Sequence, residues 1–214
     1  MTSLEKFIKI KLTVSSLSSN NTKIIVVTKN CNLDKIKNII EYGHTEFGEN
    51  RVLEALEKWS EIKDKDPKIK LHLIGRLQSN KVAEACGIFD YIHSLDSEKL
   101  AAKIFSEQCK IKKSIKLFVQ VNIGNEKQKS GIATSEVDNF VKLCVTKYKL
   151  DIIGLMCLPP IDQDPIPYFR LLKELALNNG LPELSMGMSG DYSKAIECGS
   201  SYVRIGSAIF GERS

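Results

Sequence analysis

Lys29 closes the apolar run KIIVVTK (23–29), a position that opens particular chemistry to an amine. Burial penalises the cation, lowers the amine's pKa and frees its lone pair to attack an aldehyde. The plain structural alternative is a side chain that carries its charge outward past the strand end. Two segments far along the chain weigh against that alternative. MGMSGDYSKAI (186–196) and RIGSAIFG (204–211) each set glycine and serine just after a short apolar run, where a helical turn begins. Backbone N–H groups exposed at such turns suit a phosphate dianion, and glycine permits close approach. The hydroxyls of Ser185, Ser189 and Ser207 add further donors. An amine and a phosphate cradle in one site fit two chemistries: pyridoxal 5'-phosphate (PLP) bound covalently, or a Schiff-base aldolase acting on a sugar phosphate. The residues alone leave both open.

Other chemistries find less support. Six cysteines (31, 86, 109, 144, 157 and 198) lie far apart without a CxxC pair, and the histidines at 44, 72 and 93 share no ligand-like spacing. Reduced thiols and no metal site are therefore expected. The formal charge of +5 is modest, and its concentrations at 63–70 and 110–116 lack the interleaved aromatics that stack bases. They are expected to be solvated helix ends and loops, with no nucleic acid as partner. No apolar run approaches the ~20 residues of a membrane span. At the N-terminus, Lys6, Lys9 and Lys11 interrupt the apolar positions, so the segment reads as a helix and not an export signal, and a cytoplasmic location follows as the expectation.

The elements that must position Lys29 and the two Gly-Ser turns alternate along the chain. Apolar runs expected as strands are 23–29, 45–49, 71–75, 90–94, 116–123, 152–156, 183–187 and 201–206. Most are continuous rather than alternating, as when both faces of a parallel strand are covered. Helical segments lie between several of them. Asn32 caps one with Leu33, Ile36, Ile39 and Ile40 on one face and Gly43 at its end. Residues 49–62 carry a stripe of Val52, Leu53, Leu56 and Trp59. Asp96 or Ser97 opens a helix to about residue 110, and Thr134 or Ser135 opens one with Val137, Phe140, Val141 and Cys144. Pro165 and Pro167 introduce another, and Asp191 caps a short one closed by Gly199. Eight strands with an extra helix in front predict a single (β/α)8 barrel, a TIM barrel, spanning 1–214 as one domain. Functional residues of such barrels gather where strands end, which is where Lys29 and both Gly-Ser turns fall.

The ordered set VVTK (26–29), EFGENRV (46–52), HLIGRLQSNK (72–81), QVNIG (120–124), KSGI (129–132), IIGLM (152–156), LSMGMSGDY (184–192) and VRIGSAIFG (203–211) resembles the pyridoxal phosphate homeostasis protein family. Its members are similar to the isolated barrel of bacterial alanine racemase without the second domain. The resemblance implies PLP as a Schiff base on Lys29, Arg204 facing the pyridine nitrogen, and Ser189, Gly206 and Ser207 at the phosphate. It places Asn50 and Ser185 near the cofactor, makes Met186 and Met188 packing residues, and sets Lys129 near the pocket. An arginine at the ring nitrogen disfavours the pyridinium proton and weakens the electron sink. The implied function is a monomeric, non-catalytic PLP carrier, with apo PLP-dependent enzymes as candidate recipients; the alternative is a racemase-like PLP enzyme. Cys31, Arg76 and Gly190 depart from the family's pattern, as does the ending GERS, and these departures concern auxiliary PLP sites and transfer.

Overall fold

A computed structural model describes residues 1–18 and 22–211. Eight parallel strands close on themselves in sequential order, β1 pairing with both β2 and β8. They are β1 Lys23–Val27, β2 Glu46–Glu49, β3 Lys70–Leu73, β4 Tyr91–Leu95, β5 Lys116–Val121, β6 Ile152–Cys157, β7 Glu183–Met188 and β8 Tyr202–Ile205. The described helices are α1 Ser3–Leu17, α2 Leu33–Glu41, α3 Val52–Lys65, α4 Val82–Ile88, α5 Glu98–Ile111, α6 Val137–Thr146, α7 Ile166–Asn178, α8 Tyr192–Glu197 and α9 Ser207–Phe210. The expected TIM barrel with a helix in front is therefore the observed fold.

Two apolar layers account for the closure. Outward-facing strand residues such as Val26, Phe47, Leu71, Ile92 and Leu117 pack on the helices in one continuous core. A smaller cluster of Ile25, Tyr91, Phe118, Met156 and Tyr202 fills the barrel interior. Burying a large apolar side chain contributes about 1.5–3 kcal/mol, so the outer layer dominates stability and the inner one shapes the lumen. Local signals agree with the elements. Thr2 and Glu5 form a reciprocal capping box on α1, and Asn32 accepts from the Lys35 N–H at the start of α2.

Several expectations need correction. β1 ends at Val27, so Lys29 lies in the turn beyond it and is half-buried. α3 starts at Val52 because Arg51 is still extended; its buried stripe is Val52, Ala55 and Trp59, with Leu53 exposed. Helix α4 and the 3-10 turn Ser79–Lys81 before it had no counterpart among the expected elements. Thr134–Glu136 is a 3-10 turn, and α6 itself begins at Val137 without a side-chain cap. The Asp191 carboxylate does not cap α8; it accepts from the Met188 N–H at 2.6 Å. Met186 packs in the core, whereas Met188 is exposed. The basic segments are also more than solvated ends. Lys113 donates to the carbonyls of Cys86, Gly87 and Phe89, closing the C-terminus of α4, and Lys63 pairs with Asp90 at 2.5 Å.

Candidate functional site

The turn that carries Lys29 is held from outside the barrel by α3. Lys58 Nζ donates to the Thr28 carbonyl at 2.6 Å, to Glu49 Oε1 at 2.9 Å and to Glu54 Oε1 at 3.0 Å. Glu54 Oε1 in turn accepts from the Asn30 N–H at 2.5 Å, and Asn30 takes the left-handed φ of 57° that the turn needs. Glu49 Oε1 also accepts from Thr28 Oγ1 at 2.6 Å and Trp59 Nε1 at 2.9 Å. Residues on both sides of Lys29 are thus fixed by charge-assisted hydrogen bonds. Trp59 was expected only in the buried stripe of its helix, and Glu49 and Lys58 had no expected role; a carboxylate in the expected strand 45–49 was the available signal.

The expected phosphate residues come together across β7 and β8. Ser189 Oγ accepts from the Gly206 N–H at 3.3 Å and from the Ala208 N–H at 3.2 Å. One hydroxyl thus gathers two backbone donors that open α9, with Ser207 exposed between them. A Cβ at Gly206 would lie 3.2 Å from the Val27 carbonyl oxygen, so this donor set sits against the end of β1. Gly187, at φ +90°, cannot be replaced easily, since a Cβ there would come within 2.5 Å of Ala195. It lets β7 turn onto α8 just before Ser189.

Arg204 lies below this cradle, paired in register with Ile25, and is 4% exposed. It donates through Nη1 to Ser185 Oγ at 2.6 Å and through Nη2 to the Cys157 carbonyl at 2.9 Å. Burial pulls its pKa down from the usual arginine value, although the guanidinium stays a pure donor. Ser185 therefore belongs with Arg204 rather than with the phosphate cradle.

Asn50 stands on the opposite rim, in the β2–α3 turn. A Cβ on Gly75 would fall 2.3 Å from the Asn50 carbonyl oxygen, so the two loops touch through backbone. Asn50 borders a cleft of about 740 Å³ with Arg51, Arg76 and Lys81, and a second of about 290 Å³ with Gln120, Asn122 and Lys129. Lys129 reaches the Leu158 and Pro159 carbonyls and pairs with Glu126, which places it at this mouth rather than on the outer surface.

The donor set fits PLP in kind. Backbone N–H groups and serine hydroxyls match a phosphate, a guanidinium matches the lone pair of a ring nitrogen, and Lys29 supplies an amine. Among the described residues no cluster of three or more His, Cys, Asp or Glu side chains is arranged to hold a metal, and no helix is long and apolar enough to cross a membrane.

The family model for the alanine racemase N-terminal domain matches residues 9–214. The pyridoxal phosphate homeostasis protein of Aquifex aeolicus is 37% identical over 203 residues, covering 91% of this chain and 88% of that protein. The chain belongs to the pyridoxal phosphate homeostasis protein family. PipY of Synechococcus elongatus, solved with PLP bound, is 30% identical with a TM-score of 0.85, covering 98% of this chain and 100% of that one. An alanine racemase from Clostridium difficile is 14% identical with a TM-score of 0.73, covering 98% of this chain and 57% of the other; it shares the barrel fold.

Proposed function

We propose that this chain binds PLP as a Schiff base on Lys29 and serves PLP homeostasis as a monomeric, non-catalytic cytoplasmic carrier, the whole chain acting as one cofactor-binding domain. The observation that carries this reading is the gathering of Ser189, Gly206 and Ala208 against the end of β1, two residues before Lys29, with Arg204 below. The names of its relatives and the PLP bound in PipY support the choice of ligand.

Each residue then has a physical task. Ser189, Gly206 and Ser207 hold the phosphate through backbone N–H and hydroxyl donors. Arg204 donates to the ring nitrogen, and Ser185 orients Arg204. Asn50 lines the opposite rim. PLP, when bound, supplies a masked aldehyde and an electron-withdrawing ring. A cation at the ring nitrogen opposes its protonation, which limits carbanion stabilisation and favours storage over turnover. The clefts beside Asn50 leave room for an incoming amine of an amino acid or an apo-enzyme lysine.

The test uses purified protein with added PLP. The expected result is an imine absorption band that borohydride bleaches, with the reduced adduct mapped to Lys29 by mass spectrometry and lost in Lys29→Ala. An unchanged band in Lys29→Ala refutes the linkage. Amino-acid racemisation above that of free PLP, abolished by Lys29→Ala, would replace the carrier reading with an enzymatic one.

A further inference from the structure

A continuous line of hydrogen bonds crosses the barrel interior from its floor to Arg204. Glu46, the first residue of β2, receives His72 Nε2 at 2.6 Å on Oε2. His72 Nδ1 lies 2.9 Å from His93 Nε2, and His93 Nδ1 lies 2.9 Å from Ser185 Oγ. Ser185 Oγ accepts from Arg204 Nη1 at 2.6 Å. His72, His93 and Ser185 are fully buried, and the line draws on β2, β3, β4, β7 and β8.

The two ends, with both imidazoles neutral, determine everything between them. A guanidinium can only donate and a carboxylate can only accept. Arg204 donates to Ser185, and because a serine oxygen can accept twice the direction is set from the carboxylate end: a neutral His72 that donates from Nε2 to Glu46 accepts on Nδ1, so a neutral His93 accepts the Ser185 proton on its own Nδ1. His93 then carries its proton on Nε2 and gives it to His72 Nδ1, and His72 Nε2–H donates to Glu46. Both histidines are neutral Nε2–H tautomers. Their surroundings agree: burial pushes the His93 pKa well below 6.5, with the Arg204 cation adding to the effect. Burial also lowers His72, against the opposing pull of Glu46 and Asp90. Burial pushes Glu46 up, but the hydrogen bond from His72 and the nearby Lys23 cation leave it below the ordinary carboxylate value. Tyr91 stacks on His72 and Phe118 on His93, excluding other partners from the ring faces.

Arg204 needs such a line. Among the described residues it forms no direct ion pair, Asp191 supports its charge only from a distance, and its other donor meets only a neutral carbonyl. A buried guanidinium is costly without compensation. Hydrogen-bonded chains polarise along their length, so negative charge at one end enriches the oxygen at the other. We propose that Glu46, acting through His72, His93 and Ser185, is the remote counter-charge of Arg204 and a positioning residue for the cofactor ring. The second half of this statement rests on PLP facing Arg204; the first does not.

The test separates them. Nitrogen NMR of histidine-labelled protein without PLP is expected to show His72 and His93 as single, neutral Nε2–H tautomers near neutral pH. It should also show a two-bond nitrogen–nitrogen coupling across the His93–His72 hydrogen bond. Glu46→Gln replaces an acceptor with a group that also donates, and the single tautomer of His93 should give way to a mixture although residue 46 does not touch it. Ser185→Ala keeps the carboxylate end, so His93 should stay Nε2–H. A Nδ1–H tautomer at His93 in the wild type, absence of the coupling, or a His93 unmoved by Glu46→Gln overturns the proposal. The wild-type measurement decides even where a variant does not fold. Loading of PLP on Lys29 is scored separately, so loss of that reading leaves the tautomers as the deciding observation.

Discussion

Replacing Lys58 with methionine removes the cation that faces a fully buried carboxylate while keeping most of the side-chain volume. The Lys58 side chain is 9% exposed and Glu49 is 0% exposed, with their charged atoms 2.9 Å apart. Removing one partner of a buried pair costs ~3–5 kcal/mol, because the other charge stays behind uncompensated. Glu49 would keep its bonds from Thr28 and Trp59, which argues for the lower end, about 3 kcal/mol. For a chain of this size that corresponds to a fall in Tm of about 6–12 °C. Circular dichroism melts of the protein without PLP measure it directly. Adding Glu49→Gln to Lys58→Met removes the stranded charge and retains the hydrogen bonds, so at least half of the loss should return. A Lys58→Met protein within about 1 kcal/mol of wild type, or a double variant no more stable than the single, refutes the reasoning. The same substitution frees the Thr28 carbonyl, so PLP loading should fall along with stability.

Acid should weaken the fold through its buried histidines. Burial holds His44 at about 4 against an ordinary 6.5, so the unfolded chain takes up its proton first. Stability is complete above pH 6.5 and falls towards pH 4, by about 3 kcal/mol from His44 alone; His72 and His93 add in the same direction. Melts across that range should show the decline, and His44→Phe, whose ring packs between Phe7 and Phe47, should flatten it; an equal slope in both counts against the assignment. Arg204→Met should weaken PLP binding about tenfold or more, corresponding to the loss of one charge-assisted hydrogen bond; dialysis equilibrium showing unchanged affinity would exclude Arg204 from the ring. Gly75→Ala places a methyl 2.3 Å from the Asn50 carbonyl oxygen, so the loop must move at a cost of about 1–3 kcal/mol, read as a lower Tm and weaker PLP retention.

The sequence was most informative where one local rule decides the outcome. Continuous apolar runs marked most strands of the barrel, since parallel strands covered on both faces leave little polar alternation, while β2 was read from the weaker TEFGE (45–49). Asn32 and Gly43 marked the ends of α2 because capping and left-handed turns depend on single residues. Helix α4 escaped because seven residues carry too few periods to stand out, and its C-terminus is closed by Lys113, a residue far away in the chain. Lys29 and the Gly-Ser turns could be named from residue type and place along the strands. Glu46, His72 and His93 could not, since they meet only when β2, β3 and β4 curve into a common lumen. Spacing in sequence, by which the histidines looked unrelated, carries no information about neighbours across a closed barrel.

The seam between β1 and β8 gives the molecule a property that concerns its making. Lys29 follows the first strand, while Arg204 and Gly206 lie in and just after the last. A chain emerging from the ribosome therefore presents Lys29 long before the Gly-Ser turns and Arg204 exist. Only when the eighth strand seats between the seventh and the first do the parts become one site. With PLP held as proposed, its retention would report that the ring has closed, and binding would feed back on that last step, since a ligand that prefers the closed form stabilises it by mass action. PLP would act on this protein as a latch on its final folding step.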